Sequence, residues 1–157
     1  MTMDYDDIKA AIPHRPPFLL VDEIVEMRPD RIVAKTTLRP DDDLWSRIYA
    51  GHYPGSPITP GALLLEMLFQ AAGVLMAGLV RDDAPVDGVP VVTRVNNAKF
   101  KRMILPGDTV ELRVRITDTI GAAYCLKGEA VKGGKVAAQA EFALTIAPAP
   151  GDDANSG

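Results

Sequence analysis

Twenty consecutive residues, GALLLEMLFQAAGVLMAGLV from Gly61 to Val80, contain one charge, Glu66, and one other strongly polar side chain, Gln70. As a helix the run is roughly 30 Å long at 1.5 Å per residue. It is apolar on every side, so it has no face to offer water and has to be enclosed. The length is near that of a membrane span. Glu66 and Gln70 lie at mid-segment, however, and no basic cluster flanks the run to orient it in a bilayer. The reading is therefore a buried core helix and no membrane span, and it requires the rest of the chain to wrap it.

The remainder is suited to that task. Leu19 to Met27 and Arg31 to Leu38 are rich in β-branched and apolar residues, and Arg28-Pro29-Asp30 between them marks a hairpin turn. Further extended segments run from Val89 to Ile104, Thr109 to Thr119 and Ala122 to Thr145. The last is broken at Lys132-Gly133-Gly134-Lys135, where Gly133-Gly134 suits a two-residue turn. Leu105-Pro106-Gly107-Asp108 is another turn, and ELRVRIT alternates charged and apolar residues as a sheet with one wet face does. Asp4 to Ala11 reads as a short helix. Asp41 to Gly61 reads as one long loop, dense in Asp, Gly and Pro, and such long connections tend to be functional. The class is α+β: an antiparallel sheet curled around one long helix. Residues 1–146 form a single domain on this reading, and 147–157 (APAPGDDANSG) form a tail too small and polar to fold.

Composition removes several functions. A net charge of −4 opposes non-specific nucleic-acid binding, which depends on a basic surface. One cysteine, Cys125, cannot form an internal disulfide and is read as a small apolar strand residue. Two histidines and one cysteine, widely separated, match no familiar metal spacing. No dinucleotide or phosphate-loop glycine pattern occurs. The acidic start, MTMDYDDIKAAI, lacks the basic and apolar regions of a secretion signal, so the expected location is the cytoplasm.

Chemistry points to the junction of loop and helix, GHYPGSPITPGALLLE. His52 is one of the few groups able to exchange protons near neutrality, and glycine and proline leave its loop few alternative backbones. Glu66 follows within the helix, among apolar neighbours that disfavour a charged carboxylate. Gln70, four residues on, shares its face. Gly61, near the helix start, leaves backbone N–H groups free for a polarised carbonyl. A base, an acid and an oxyanion donor together suit proton abstraction next to a carbonyl. A bystander histidine and a structurally hydrogen-bonded glutamate remain the alternative at this point. His14 reads as an anchor between the first helix and the sheet, and Trp45 and Tyr49 as packing.

Three blocks, IPHRPPFLLVDEI, GHYPGSPITPGALLLEMLFQAAG and AKFKRMILPGDTVEL, closely resemble the beta-hydroxyacyl-acyl carrier protein dehydratases of bacterial fatty acid synthesis, a hot-dog-fold family. The resemblance covers Ile12 to Thr145. It implies conversion of a (3R)-3-hydroxyacyl thioester on carrier protein to the trans-2-enoyl thioester and water, without a cofactor. His52 would take the C2 proton, the Gly61 N–H would polarise the thioester carbonyl, and Glu66 would protonate the leaving hydroxyl, with Gln70 in support. A glutamate rather than an aspartate at position 66 resembles the dehydratase-only branch. Proteins of this type are dimers with sites shared between subunits, often assembled as a trimer of dimers.

The implied partner, acyl carrier protein bearing a 3-hydroxyacyl-phosphopantetheine, is acidic. Docking on this acidic chain would need a local basic patch, and the densest basic run is Arg94, Lys99, Lys101 and Arg102. The chain departs from the family pattern at Tyr53, at Ile58-Thr59 and in the longer, more polar DDDLWSRIYA approach, all where an acyl chain would enter or lodge. A hot-dog acyl thioesterase and a non-catalytic acyl-binding subunit are the rival readings.

Overall fold

In a computed structural model, residues 1–83 and 88–148 are described, the side chains of residues 80–83 apart. The order of elements is α1 (Tyr5–Ala11), β1 (Glu23–Arg28), β2 (Arg31–Thr37), α2 (Asp43–Gly51), α3 (Gly61–Asp83), β3 (Val89–Phe100), β4 (Thr109–Ile120), β5 (Ala123–Lys132) and β6 (Lys135–Ala147). The six strands form one sheet, entirely antiparallel, in the order β1-β2-β4-β5-β6-β3. Helix α3 packs against five of these strands, β2 through β6, and against α1. Met67, Leu68, Ala71, Ala72, Val74, Leu75 and Met76 on its middle turns are all buried. This is the curled sheet around a central helix expected of a hot-dog fold. The span of Gly61 to Leu79 that could cross a membrane by length and composition is this core helix.

Local chemistry explains the connections. Pro29-Asp30 closes the β1–β2 hairpin between paired Arg28 and Arg31. Gly133 (φ 56°) and Gly134 (φ 76°) supply the two positive φ angles of the β5–β6 turn. The alternation of β4 places Val110, Leu112 and Val114 against the helix and Arg113 and Arg115 outward.

Three expectations need correcting. The stretch from Asp41 to Gly61 is not one loop, because Asp43–Gly51 forms α2. Asp42 caps it by accepting from the Leu44 N–H, and Trp45 and Tyr49, four apart, bury on one face with stacked rings 5.7 Å apart. The composition of the flanks concealed a nine-residue amphipathic helix. The first strand begins at Glu23 rather than Leu19, since the Leu20 N–H is taken by the Gln70 side chain instead of a ladder partner. The segment Val89 to Ile104 stops as a strand at Phe100, because the Lys101 and Arg102 N–H groups both turn to the Ala137 carbonyl. At the C-terminus, β6 extends to Ala147, and most of the expected tail, 149–157, lies outside the described residues.

The two sheet edges differ. Along β1 the chain's own start covers the edge: Met3 and Ile24 exchange backbone hydrogen bonds, and Met27 N–H donates to the Met1 carbonyl. The other edge, β3, pairs only with β6 among the described residues. Val91 and Val95 are exposed on it.

Candidate active site

His52 closes α2, its backbone N–H donating to the Ile48 carbonyl. The turn that follows is built by Pro54-Gly55. Ser56 N–H donates to the Tyr53 carbonyl at 3.0 Å, and Gly55 at φ 91° supplies the positive angle that the third position of a type II turn demands. Tyr53 itself is left-handed (φ 56°), and its ring meets the His52 imidazole edge-on at 4.8 Å. Such a conformation is costly for an aromatic residue and persists only where its surroundings impose it.

The imidazole is oriented by one contact, His52 Nδ1 to the Ile58 carbonyl at 2.8 Å. A carbonyl only accepts, so Nδ1 carries the proton and Nε2 presents a lone pair. His52 lines a cleft of about 570 Å³ with Tyr53, Ile58, Gly61, Phe100 and Met103 among its walls, and Lys101 and Arg102 also line it. Gly61 is the first residue of α3, so its N–H has no intrahelical acceptor. A side chain there would displace Phe100: a Cβ would lie 2.6 Å from Phe100 Cε1.

Thr59, between these two, is held from behind. Its N–H donates to the Ile104 carbonyl at 2.8 Å, and its hydroxyl shares a buried 2.7 Å hydrogen bond with Tyr49 of α2. Burial pushes the Tyr49 phenol above its ordinary acid range, Asp108 adds to this, and the Thr59 contact acts against it.

Glu66 belongs to a different environment. Five residues beyond Gly61, it projects roughly 140° around the helix, and it is not part of the His52 cleft. Its Oε1 accepts from Gln70 Nε2 at 3.0 Å and lies 3.4 Å from His14 Nε2. Gln70 is buried, and two backbone groups fix its amide: Oε1 accepts from the Leu20 N–H and Nε2 donates to the Phe18 carbonyl, both at 2.8 Å. The Glu66 side chain is 24% exposed, open enough to meet a ligand.

The chain therefore brings His52, Gly61, Lys101 and Arg102 to one cleft at the start of α3, and Glu66, Gln70 and His14 together at another place along it. Arg94 and Lys99 sit on β3, away from the cleft walls. None of the four basic residues forms an ion pair among the described residues. The neighbourhood of His14 and Glu66 was missed by the sequence reading, which took His14 only as an anchor. The signal for it was that one of just two histidines stands in a Pro-rich turn leading to the strand beside Gln70. Among the described residues no cluster of three His, Cys, Asp or Glu side chains is placed to hold a metal ion.

Comparisons with known proteins agree on what this arrangement is similar to. The family model of the FabA-like domain matches residues 12–141. The "3-hydroxyacyl-[acyl-carrier-protein] dehydratase FabZ" of Anaeromyxobacter sp. (strain Fw109-5) is 37% identical over 147 residues, covering 92% of this chain and 90% of the relative. The protein of the same name from Clostridium acetobutylicum is 38% identical, with 93% and 99% covered. Among solved structures, the dehydratase heterocomplex ApeI:P of Xenorhabdus doucetiae shares the fold at a TM-score of 0.76 and 15% identity, over 90% of this chain and 91% of that one. An uncharacterized protein of Pyrococcus horikoshii does so at 0.63 and 11%, over 84% and 87%.

Proposed function

The chain belongs to the FabA-like family, and on that premise we propose that it dehydrates (3R)-3-hydroxyacyl groups carried on acyl carrier protein to trans-2-enoyl groups in fatty acid biosynthesis. The reading of its chemistry is carried by one observation, the commitment of His52 Nδ1 to the Ile58 carbonyl. Nε2 is thereby left as a base in a cleft at the amino end of a long helix. His52 Nε2 removes the C2 proton, and the C2–H electron pair becomes the C2–C3 double bond. The Gly61 N–H donates to the thioester oxygen as negative charge builds there, aided by the positive end of α3. As the C3–O bond breaks, Glu66 gives its proton to the departing hydroxyl, which leaves as water. Proton exchange with solvent then restores both groups. No cofactor takes part in these steps.

Because His52 and Glu66 stand at different places on one protomer, the working site is assigned to a homodimer in which one copy's His52 meets the other copy's Glu66. The open β3 edge supports this. Twelve residues of strand with unpaired backbone groups and exposed Val91 and Val95 are an aggregation hazard unless a second copy covers them. A trimer of dimers is the further assembly assigned to it. Lys101 and Arg102 at the cleft mouth, with Lys99 and Arg94 on the adjoining strand, form the docking patch for the acidic carrier protein. The enzyme is placed in the cytoplasm as one domain over residues 1–146.

The test is a mass-resolved assay with 3-hydroxyacyl carrier proteins of graded chain length. The expected result is loss of one water from the acyl group, abolished in His52→Ala and in Glu66→Gln. General acid and base groups each contribute about 10²–10⁴-fold. Release of free acid instead of enoyl product would overturn the assignment.

A further inference from the structure

His14 has no part in the steps above, yet its imidazole touches the carboxylate they depend on. Nε2 lies 3.4 Å from Glu66 Oε1. The other ring nitrogen, Nδ1, is buried and meets no hydrogen-bonding partner among the described residues. The ring stacks at 6.5 Å against Phe18, whose backbone carbonyl holds the Gln70 amide. Gln70 and His14 thus approach the same oxygen, Oε1, while Glu66 Oε2 has no hydrogen bond among the described residues.

These contacts settle where protons sit. A proton on Nδ1 would make a buried N–H with no acceptor, among the rarest of unpaired groups in folded proteins. The ring proton therefore belongs on Nε2, the nitrogen 3.4 Å from Glu66 Oε1. The Gln70 amide cannot be turned over without opposing its oxygen to the Phe18 carbonyl and its NH₂ to the Leu20 N–H. It too presents a donor. An oxygen approached by two N–H groups has no place for a proton of its own, so a proton on the Glu66 carboxyl is carried by Oε2.

We propose that His14 is a positioning residue for the dehydration: with Gln70 it engages Glu66 Oε1, so that the transferable proton is carried on Oε2, the oxygen left free for the substrate hydroxyl. The proposal rests on Glu66 being the acid. His14 is not a proton relay, because a relay needs both ring nitrogens connected and Nδ1 has no hydrogen-bonding partner among the described residues. The 3.4 Å separation is longer than a formed N–H···O bond. It shortens when the site is engaged, as contacts in unliganded enzymes commonly do.

Two measurements test this. With histidine labelled by ¹⁵N, only two rings report, and two-bond proton–nitrogen correlations distinguish their tautomers. His14 should carry its proton on Nε2 and His52 on Nδ1. A proton on Nδ1 of His14 overturns the proposal without any variant having to fold. In the second, steady-state dehydration is compared for His14→Phe, which keeps the stacked ring and loses the N–H, and His14→Gln, which returns an amide N–H at similar reach. His14→Phe should lower kcat by about ten- to a hundredfold, as loss of a hydrogen bond to an oxygen that gains negative charge while the proton leaves does, with KM nearly unchanged. His14→Gln should recover most of it. A folded His14→Phe enzyme with wild-type kcat, beside an inactive Glu66→Gln, overturns the positioning role and leaves the acid assignment standing. An active Glu66→Gln enzyme instead overturns the assignment of the acid, and this proposal with it.

Discussion

Replacing Gln70 by Leu would remove the side chain whose hydrogen bonds tie the Phe18–Leu20 segment to the core helix. Three contacts disappear: the Leu20 N–H to Oε1, Nε2 to the Phe18 carbonyl, and Nε2 to Glu66. They are unequal. Leu20 is buried, so its stranded N–H bears the full penalty of about 1–3 kcal/mol. The bond to the Phe18 carbonyl is only part-buried, so its loss costs less. The Glu66 contact contributes about 1 kcal/mol more, and volume is nearly conserved, so no cavity term enters. The sum is about 2–4 kcal/mol. For a chain of this length, where each kcal/mol moves the midpoint by about 2–4 °C, the expected loss is roughly 4–16 °C. Differential scanning calorimetry at one fixed protein concentration measures it, since an oligomer's midpoint depends on concentration. Hydrogen exchange locates the effect: the Leu20 amide should lose its protection while the β4–β5 amides keep theirs. A midpoint within about 2 °C of wild type, with the Leu20 amide still protected, would refute the argument that Gln70 acts through that backbone.

Mixing inactive His52→Ala and Glu66→Gln subunits and allowing exchange should restore about a quarter of wild-type activity, because half the dimers become hybrids with one intact site each. No recovery, with hybrid formation shown by native mass spectrometry, would rule out a site shared in this way. Gly61→Ala keeps the N–H but drives a Cβ to within 2.6 Å of Phe100 Cε1. Because the half-exposed ring can swing aside, stability should fall by no more than about 1–3 kcal/mol, whereas kcat/KM, which depends on sub-ångström placement, should fall about 10²-fold. Tyr49→Phe leaves the Thr59 hydroxyl buried without its partner and should cost about 1–3 kcal/mol at neutral pH. Burial holds the Tyr49 phenol protonated beyond its ordinary range. The folded state thus keeps a proton that the unfolded chain loses near pH 10, so this contribution is complete below pH 10 and fades as pH rises through the folded value. Urea unfolding from pH 8 to 11 should show a decline in wild type that is smaller in the variant.

The sequence alone determined what depends on short-range rules. An apolar run with no wet face can only be a core helix, so α3 and a wrapping sheet followed. The Pro-Asp, Pro-Gly and Gly-Gly turns were readable because each pair prescribes its own backbone angles. The spacing of His52, Gly61, Glu66 and Gln70 along a loop and one helix was likewise a local property, as was the resemblance its residues carried. Helix α2 was also local in origin, through Asp42 and the Trp45–Tyr49 face, but its acidic and Gly/Pro-rich flanks outweighed a single short amphipathic stretch. Contacts between remote segments belong to the tertiary structure. Periodicity along α3 placed Gln70 beside Glu66, but nothing in it says that Leu20 and Phe18 would claim the amide, or that His14 would lie against Glu66 across 52 positions of chain. Nor did the spacing of His52 and Glu66 reveal that they occupy separate places on one protomer, because the loop returns along the helix start while the side chain of Glu66 turns away. Propensity and turn chemistry act over a few residues, whereas which groups meet is decided by how a curled sheet folds distant segments around one helix.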